Sequence, residues 1–213
     1  MRPAPADHAG DAVADVPVLN LPNALTILRL ALVPVFGWLL LSGGGGDDRQ
    51  RVAAAIVFLV ASLTDLADGA LARRRHLVTT FGKIADPIAD KALIGVALVG
   101  LSLLDWLPWW VTGVILAREV GVTVLRFWVI RHGVIPASRG GKAKTVVQML
   151  AIWLYVLPLT GTWLTVAALV MAVGVVLTLA TGIDYVVRAW RLRRVSRSRG
   201  PIREAQPLVD RRP

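Results

Sequence analysis

Among its 213 residues the chain has no cysteine. This excludes a disulfide bond, a thiolate nucleophile and a cysteine metal site. Histidine is scarce as well, and His8, His76 and His132 are too scattered to be good metal-ligand candidates. The N-terminus lacks a charged segment followed by a short apolar stretch and a cleavage site, so we expect no signal peptide. We find no internal repeat and expect one compact domain.

What the chain has in excess is apolar residues, which make up 55% of it. A mean hydropathy of +0.62 is too high for an ordinary soluble domain and predicts an all-α integral membrane protein with several spans. We expect a membrane domain over residues 19–190, a disordered N-terminal tail over residues 1–18, and a basic, disordered C-terminal tail over residues 191–213. The six predicted spans are Pro22–Ser42, Arg51–Arg74, Phe81–Leu104, Trp106–Arg131, Lys144–Leu159 and Trp163–Trp190.

The net charge of +10 is distributed unevenly between the connections. Basic residues flank the connections between spans 2 and 3 and between spans 4 and 5, and they fill the segment after span 6. The connections between spans 3 and 4 and between spans 5 and 6 contain no Lys or Arg. By the positive-inside rule, both termini and the two basic connections are cytoplasmic. The basic tail is expected to contact anionic lipid headgroups or to be merely disordered.

Two of the predicted spans carry four aspartates, Asp65, Asp68, Asp86 and Asp90. Ionised carboxylates inside a bilayer are costly and mark a functional site by default. Each pair has helical spacing and therefore lies on one helix face. Counted from the cytoplasmic helix ends, Asp65 and Asp90 lie at similar depth, about 12 Å into their helices. Two antiparallel helices would bring all four acids to one level.

Oxygen ligands without His or Cys favour Mg²⁺ or Mn²⁺, and four carboxylates could hold two such ions for phosphoryl chemistry. Two other interpretations of the acids stay open. They could form ion pairs with Arg73, Arg74, Lys83 and Lys91, or serve a proton relay in a transporter with an acidic ion site. Transporter sites, however, tend to lie near the midplane of the membrane, whereas these acids cluster near its predicted cytoplasmic side.

The whole string around the acids is D-x2-D-G-x2-A-R-x8-G-x3-D-x3-D, from Asp65 to Asp90. It resembles the signature of the CDP-alcohol phosphotransferases, and every element of that signature is present. The resemblance implies a six-span fold, usually a homodimer, with two divalent cations in a cavity open to the cytoplasm. It implies that Asp65, Asp68 and Asp86 are metal ligands. Asp90 would take the proton from the acceptor hydroxyl and touch the second metal.

The same resemblance implies a nucleotide pocket for a CDP-linked lipid. Pro22, Thr26 and Arg29 form a P-x3-T-x2-R strip at the start of span 1 that would face this pocket. An alternative interpretation of Arg29 is a residue whose charged end snorkels to the membrane interface. The predicted nucleotide-binding residues are Pro22, Thr26, Arg29, Asp68, Gly69, Ala72, Arg73 and Gly82.

Further cations follow in spans 4 and 5 and indicate an acceptor that carries its own phosphate. The candidate phosphate-binding residues are Arg118, Lys142 and Lys144, with Gln148 one turn after Lys144. Arg118 precedes Glu119, but adjacent helical residues do not face each other, so we expect no simple neutralisation within this pair. Arg118 could instead pair with an acid on another helix. Asp184 and Arg188 have i,i+4 spacing and are expected to form a plain ion pair.

The segments NLPNALTILRLALVP, DPIADKAL, ILAREVGVTVLR and GKAKTVVQM resemble bacterial phosphatidylglycerophosphate synthases. This resemblance covers about residues 20–150 and implies transfer of a phosphatidyl group from CDP-diacylglycerol to glycerol 3-phosphate, with release of CMP. It further implies the cytoplasmic membrane of a bacterium as the location. Phosphatidylinositol-phosphate synthase and a cardiolipin synthase of the same fold stay open as alternatives. The segment VIPASRGGK, which ends at Lys142, departs from the pattern by an added Arg139 and a double glycine.

Overall fold

The computed structural model of the chain describes residues 21–75, 80–129 and 139–198. All regular secondary structure within these ranges is helical, which confirms the predicted all-α class. The predicted tail over residues 1–18 and the end of the C-terminal tail from residue 199 lie outside the described residues. The helices are α1 (Leu21–Leu41), α2 (Asp48–Arg75), α3 (Thr80–Leu103), α4 (Trp109–Val129), α5 (Arg139–Val156) and α6 (Thr162–Ser198), with a short 3-10 turn at Ser42–Gly45.

Each helix corresponds to one predicted span, and the largest differences lie at the start of α5 and the end of α6. α5 begins at Arg139 rather than at Lys144, so Lys142 belongs to a helix and not to a connection. The hydroxyl of Thr145 donates to the Gly141 carbonyl at 3.1 Å, which supports this first turn. α6 continues to Ser198, because the sequence from residue 183 onward contains no glycine or proline before residue 200.

The helices pack in two groups, one around the N-terminal helix α1 and one around the C-terminal helix α6. α1 packs against α2 and α3, α6 packs against α5 and α4, and α2 contacts α5. The apolar core joins these groups through buried side chains such as Phe36, Phe58 and Ile152. α1 and α3 approach closely at Gly100, where an added Cβ would lie 2.6 Å from Leu40 Cδ2. A larger residue at this position would push the two helices apart.

Large apolar side chains cover much of the outer surface of the bundle. Trp38, Trp110 and Trp163 are each more than half exposed, and many leucines and valines of α1, α2 and α6 are exposed with them. Such an extended apolar surface is expected where lipid, rather than water, surrounds the protein. Among the described residues, the segments Asn23–Gly45 and Thr162–Arg191 are long and apolar enough to cross a membrane. The structure thus agrees with a membrane protein, and six spans stay a prediction.

Arg51, near the start of α2, connects three parts of the bundle. Its guanidinium donates to the carbonyl oxygen of Leu157 at 2.6 Å and to those of Tyr155 and Val156 at 3.3 and 3.2 Å. It also lies 4.0 Å from the ring centroid of Trp106, in cation–π geometry. Trp106 is therefore half-buried within the protein. Arg51 ties the end of α5 to α2 and to the connection between α3 and α4.

Candidate functional site

The motif aspartates lie on two neighbouring helices, as the sequence predicts. α2 runs without a break through Asp65 and Asp68, and α3 through Asp86 and Asp90. Asp90 is half-buried. The side chains of the other motif residues are outside the described residues: Asp65, Asp68, Gly69, Ala72, Arg73, Gly82 and Asp86. The described side chains include no group of three or more His, Cys, Asp or Glu residues. The metal site therefore stays a prediction.

The first turns of α1 present a strip of buried polar side chains. Asn23, Thr26 and Arg29 recur every three residues and are 2%, 1% and 0% exposed. α1 packs against both α2 and α3, so the strip faces the inside of the bundle next to the helices that carry the aspartates. The interpretation of Arg29 as a snorkelling residue is wrong, because its guanidinium is enclosed by protein. The side chain of Pro22 is outside the described residues.

Arg118, Glu119 and Lys144 form a second polar group, which joins α4 to α5. Arg118 Nη1 donates to Glu119 Oε1 at 3.0 Å, and the Lys144 ammonium donates to the same carboxylate oxygen. Lys144 is only 3% exposed. The expectation that Arg118 and Glu119 do not pair is wrong. The two residues start out from different sides of α4, but both side chains are long enough to meet near Lys144.

α6 supplies the surface on which Arg118 rests. Arg118 Nη2 donates to the hydroxyl of Thr181 at 3.0 Å, and the Arg118 Cγ atom lies 3.1 Å from where a Cβ on Gly182 would stand. Because Gly182 has no side chain, the Arg118 side chain can pack directly against α6 at this position. The predicted phosphate-binding residues Arg118 and Lys144 thus come together. The side chain of Lys142, two residues before Lys144, is outside the described residues.

This cluster is suited to binding an anion. Two cations share one carboxylate, so the group keeps a net positive charge in a mostly buried place, where a charge is screened little by water or salt. A phosphate that enters could accept hydrogen bonds from both cations in place of Glu119. Farther along α6, Asp184 Oδ1 accepts from Arg188 Nε at 2.9 Å, and both residues are exposed. The plain ion pair predicted for these two residues is confirmed.

Sequence reasoning overlooked several residues of these two groups. Asn23 extends the strip of Thr26 and Arg29 by one turn, and its i,i+3 spacing is visible in the sequence. Thr181 and Gly182 interrupt the apolar run of α6, which is a weaker signal because membrane helices contain many such residues. Their contact with Arg118 depends on how α4 and α6 meet, and the sequence does not specify that.

The chain has clear relatives. The family model described as CDP-alcohol phosphatidyltransferase matches residues 19–180. A Mycobacterium tuberculosis protein named "Probable phosphatidylglycerophosphate synthase" is 56% identical over 184 residues, which cover 86% of this chain and 88% of that protein. A Bacillus subtilis "CDP-diacylglycerol--glycerol-3-phosphate 3-phosphatidyltransferase" is 38% identical over 84% of this chain and 100% of its own length. A Streptomyces coelicolor "Cardiolipin synthase (CMP-forming)" is 37% identical over 82% of this chain and 85% of its own length.

Proposed function

The chain belongs to the CDP-alcohol phosphatidyltransferase family, and we propose that it is a phosphatidylglycerophosphate synthase. The reaction transfers the phosphatidyl group of CDP-diacylglycerol to glycerol 3-phosphate and releases CMP. Two relatives with 56% and 38% identity over most of the chain carry names for this activity, and this likeness supports the assignment. The cardiolipin synthase with 37% identity is the alternative within the family. Membership of this family argues against the interpretation of the aspartates as the ion site of a transporter.

The observation that carries the choice of acceptor is the partly buried group of Arg118, Glu119 and Lys144. An acceptor with its own phosphate gives these cations a partner of matching charge. Phosphatidylglycerol, the acceptor of a cardiolipin synthase, would have to bring its phosphate there with two lipid chains attached. Glycerol 3-phosphate is small and enters from water. The cluster therefore favours a small, water-soluble phosphate over phosphatidylglycerol, and the names of the relatives support glycerol 3-phosphate, with Arg118, Lys142 and Lys144 as its phosphate-binding residues.

In the proposed mechanism the strip of Thr26 and Arg29 holds the nucleotide while the acceptor phosphate binds near Lys144. Asp90 accepts the proton from the terminal hydroxyl of glycerol 3-phosphate. That oxygen forms a bond to the lipid-side phosphorus, and the bond from this phosphorus to the bridging oxygen breaks. CMP leaves with the bridging oxygen, and the proton passes from Asp90 to water.

The donor set fits divalent cations. Asp65, Asp68, Asp86 and Asp90 would hold two Mg²⁺ or Mn²⁺ ions, because carboxylate oxygens without nitrogen or sulfur ligands suit these hard cations. Bound ions of this kind neutralise the charge of a pyrophosphate and stabilise the departing phosphate. Gly69, Ala72, Arg73 and Gly82 would complete the nucleotide pocket with Pro22 and Asp68.

The arrangement in the membrane is part of the proposal. All six helices span the bacterial cytoplasmic membrane, with both termini and the catalytic cavity on the cytoplasmic side, and the protein acts as a homodimer. The positive-inside distribution of Arg and Lys supports this orientation. Glycerol 3-phosphate is water-soluble and would enter the cavity from the cytoplasm. The membrane domain would cover residues 19–190.

Release of CMP tests the proposed function directly. Purified protein in mixed micelles with CDP-diacylglycerol and Mg²⁺ or Mn²⁺ is expected to release CMP with glycerol 3-phosphate. Inositol 1-phosphate and phosphatidylglycerol are expected to give little. CMP release with phosphatidylglycerol instead would identify a cardiolipin synthase, and release with inositol 1-phosphate a phosphatidylinositol-phosphate synthase. Activity that survives removal of divalent cations by EDTA would contradict the metal assignment.

The role of Asp90 can be separated from that of Asp86 by conservative variants. Asp90→Asn is expected to lower CMP release by at least about 100-fold, because a positioned general base contributes 10²–10⁴-fold, while much nucleotide binding persists. Asp86→Asn is expected to weaken metal binding itself, measured by titration calorimetry with Mn²⁺. Asp184→Asn changes an exposed aspartate of the same protein and serves as the matched control, with near wild-type turnover. A normal rate for Asp90→Asn would show that another group takes the proton.

A further inference from the structure

Two fully buried polar side chains near the Lys144 cluster have no hydrogen-bond partner among the residues that the structure describes. Gln148 and Thr178 are each 0% exposed. Within the described part of the chain, neither the amide oxygen nor the amide nitrogen of Gln148 has a hydrogen-bond partner, and the same holds for the Thr178 hydroxyl. Leaving such groups unbonded in a protein interior costs free energy, and native proteins rarely tolerate it without a reason. The reason can be a ligand that bonds to them.

The packing of α5 on α6 sets these two residues beside the cations. A Cβ built on Gly174 would lie 3.8 Å from the Cα atom of Gln148, so α6 touches α5 at this level. α5 and α6 are joined by the short connection 157–161 and run in opposite directions. Thr178, one turn after Gly174, therefore comes level with Lys144, one turn before Gln148. Gln148, Thr178 and Lys144 thus share one region between the two helices.

The order of chemical groups along this region matches a small phosphorylated alcohol. Thr181, three residues after Thr178, receives the Arg118 hydrogen bond, so the cations lie toward the predicted cytoplasmic end. Gln148 lies about 6 Å deeper along α5 than Lys144. α5 also contacts α3, the helix that carries Asp90. A three-carbon phosphate could thus place its phosphate at the cations and its hydroxyls near Gln148.

We propose that the Gln148 amide and the Thr178 hydroxyl bind the non-reacting, middle hydroxyl of glycerol 3-phosphate and thereby select this acceptor over phosphorylated alcohols that lack it. This inference rests on the proposed function. A hydroxyl is both donor and acceptor, and Gln148 offers both an N–H donor and a C=O acceptor. An acceptor without the middle hydroxyl leaves both side chains unbonded, which is how a buried polar site rejects an analogue that lacks a hydrogen-bonding group.

The test compares glycerol 3-phosphate with 1,3-propanediol monophosphate, which keeps the phosphate and the terminal hydroxyl but lacks the middle one. CMP release gives kcat/KM for each acceptor, and the ratio of the two values is the readout. For the wild-type protein we expect a preference for glycerol 3-phosphate of about 10- to 100-fold, as the loss of one buried hydrogen bond predicts. In Gln148→Met and Thr178→Val this preference should fall by at least about fivefold.

Matched variants separate binding of the hydroxyl from a role in folding. Thr178→Ser keeps the hydroxyl and should restore the preference lost in Thr178→Val. Val146→Ala changes an exposed residue of α5 and should keep the wild-type ratio. Because Gln148 and Thr178 have no hydrogen-bond partner in the described part of the protein, their apolar replacements should not lower the thermal midpoint. A purely structural role would lower that midpoint and reduce both kcat/KM values without changing their ratio.

The outcomes distinguish this inference from the proposed function. If the wild-type protein releases no CMP with glycerol 3-phosphate, the proposed function is wrong and the inference falls with it. If the wild-type protein is active but Gln148→Met and Thr178→Val keep its full preference, only the inference is overturned. A wild-type protein that uses both acceptors equally well would also overturn the inference and leave the proposed function in place.

Discussion

At the scale of single residues, Glu119 is central to the polar group between α4 and α5. Its carboxylate accepts from Arg118 on the same helix and from Lys144 on another. Lys144 is the more buried partner, with a side chain 4% exposed against 20% for Glu119. A buried ammonium depends on its counter-ion, because the low-dielectric interior penalises an isolated charge. Glu119 therefore gives the buried Lys144 side chain a counter-ion within the protein.

Because Lys144 depends on Glu119, we expect substitutions of these two residues to lower the thermal midpoint by different amounts. Glu119→Gln should lower the thermal midpoint more than Lys144→Met, because the first leaves Lys144 charged and buried while the second leaves Glu119 paired with Arg118. Adding Lys144→Met to Glu119→Gln should recover part of the loss, with a coupling energy of about 1–3 kcal/mol. Thermal unfolding in detergent gives the midpoint of each of the three variants. Asp184→Asn, at an exposed pair, should change stability by only about 0–1 kcal/mol. Additive effects at Glu119 and Lys144 would show that the pair does not interact.

At the scale of helices, lengths and ends follow local chemistry, while the contacts between helices follow from packing. α6 ends only near the Gly200–Pro201 pair because nothing earlier interrupts it. At about 1.5 Å per residue, its 37 residues measure about 55 Å, which exceeds the hydrocarbon core of a bilayer. Part of α6 must therefore extend beyond the membrane, and the basic residues after Trp190 belong to that part.

Arg51 provides a test of how the helices are held together. Arg51→Met removes its hydrogen bonds to the end of α5 and its contact with Trp106, and should lower the free energy of unfolding by about 2–4 kcal/mol. Arg51→Lys should retain only part of this stabilisation, because a lysine ammonium lacks the planar guanidinium that donates to several carbonyl groups at once. Arg49→Met alters an exposed arginine two residues away and is the matched control. Equal stability of the Arg51 and Arg49 variants would show that this connection contributes little.

At the scale of the whole molecule, the absence of cysteine makes the membrane orientation easy to measure. Asp47 lies in the connection between α1 and α2, and Arg191 lies in α6 after the last predicted span; both are exposed. In intact cells, a membrane-impermeant maleimide should label Asp47→Cys from outside. It should label Arg191→Cys only after the membrane is opened. Labelling in the reverse order would invert the proposed topology, and labelling of both in intact cells would contradict an odd number of spans between them.

The sequence by itself determined the helical class, the six α-helices found among the described residues, and the family. These properties depend on local features: apolar runs of membrane length, breakers between them, and the fixed spacing of Asp65, Asp68, Asp86 and Asp90. Most helix ends were predicted to within a few residues for the same reason. The pairing of Asp184 with Arg188 was predictable too, because both residues lie on one helix one turn apart.

Only the tertiary structure decided which polar residues meet. The burial of Arg29 depends on α1 packing between its neighbours, and the group of Arg118, Glu119 and Lys144 depends on α4, α5 and α6 coming together. Spacing along one helix wrongly separated Arg118 from Glu119, because long side chains bend toward partners that lie on other helices. In the sequence, Gln148 is likewise just one more polar residue of α5; packing buries it, and no described residue forms a hydrogen bond with its side chain. Contacts between helices arise from the fit of whole surfaces, which no single segment specifies.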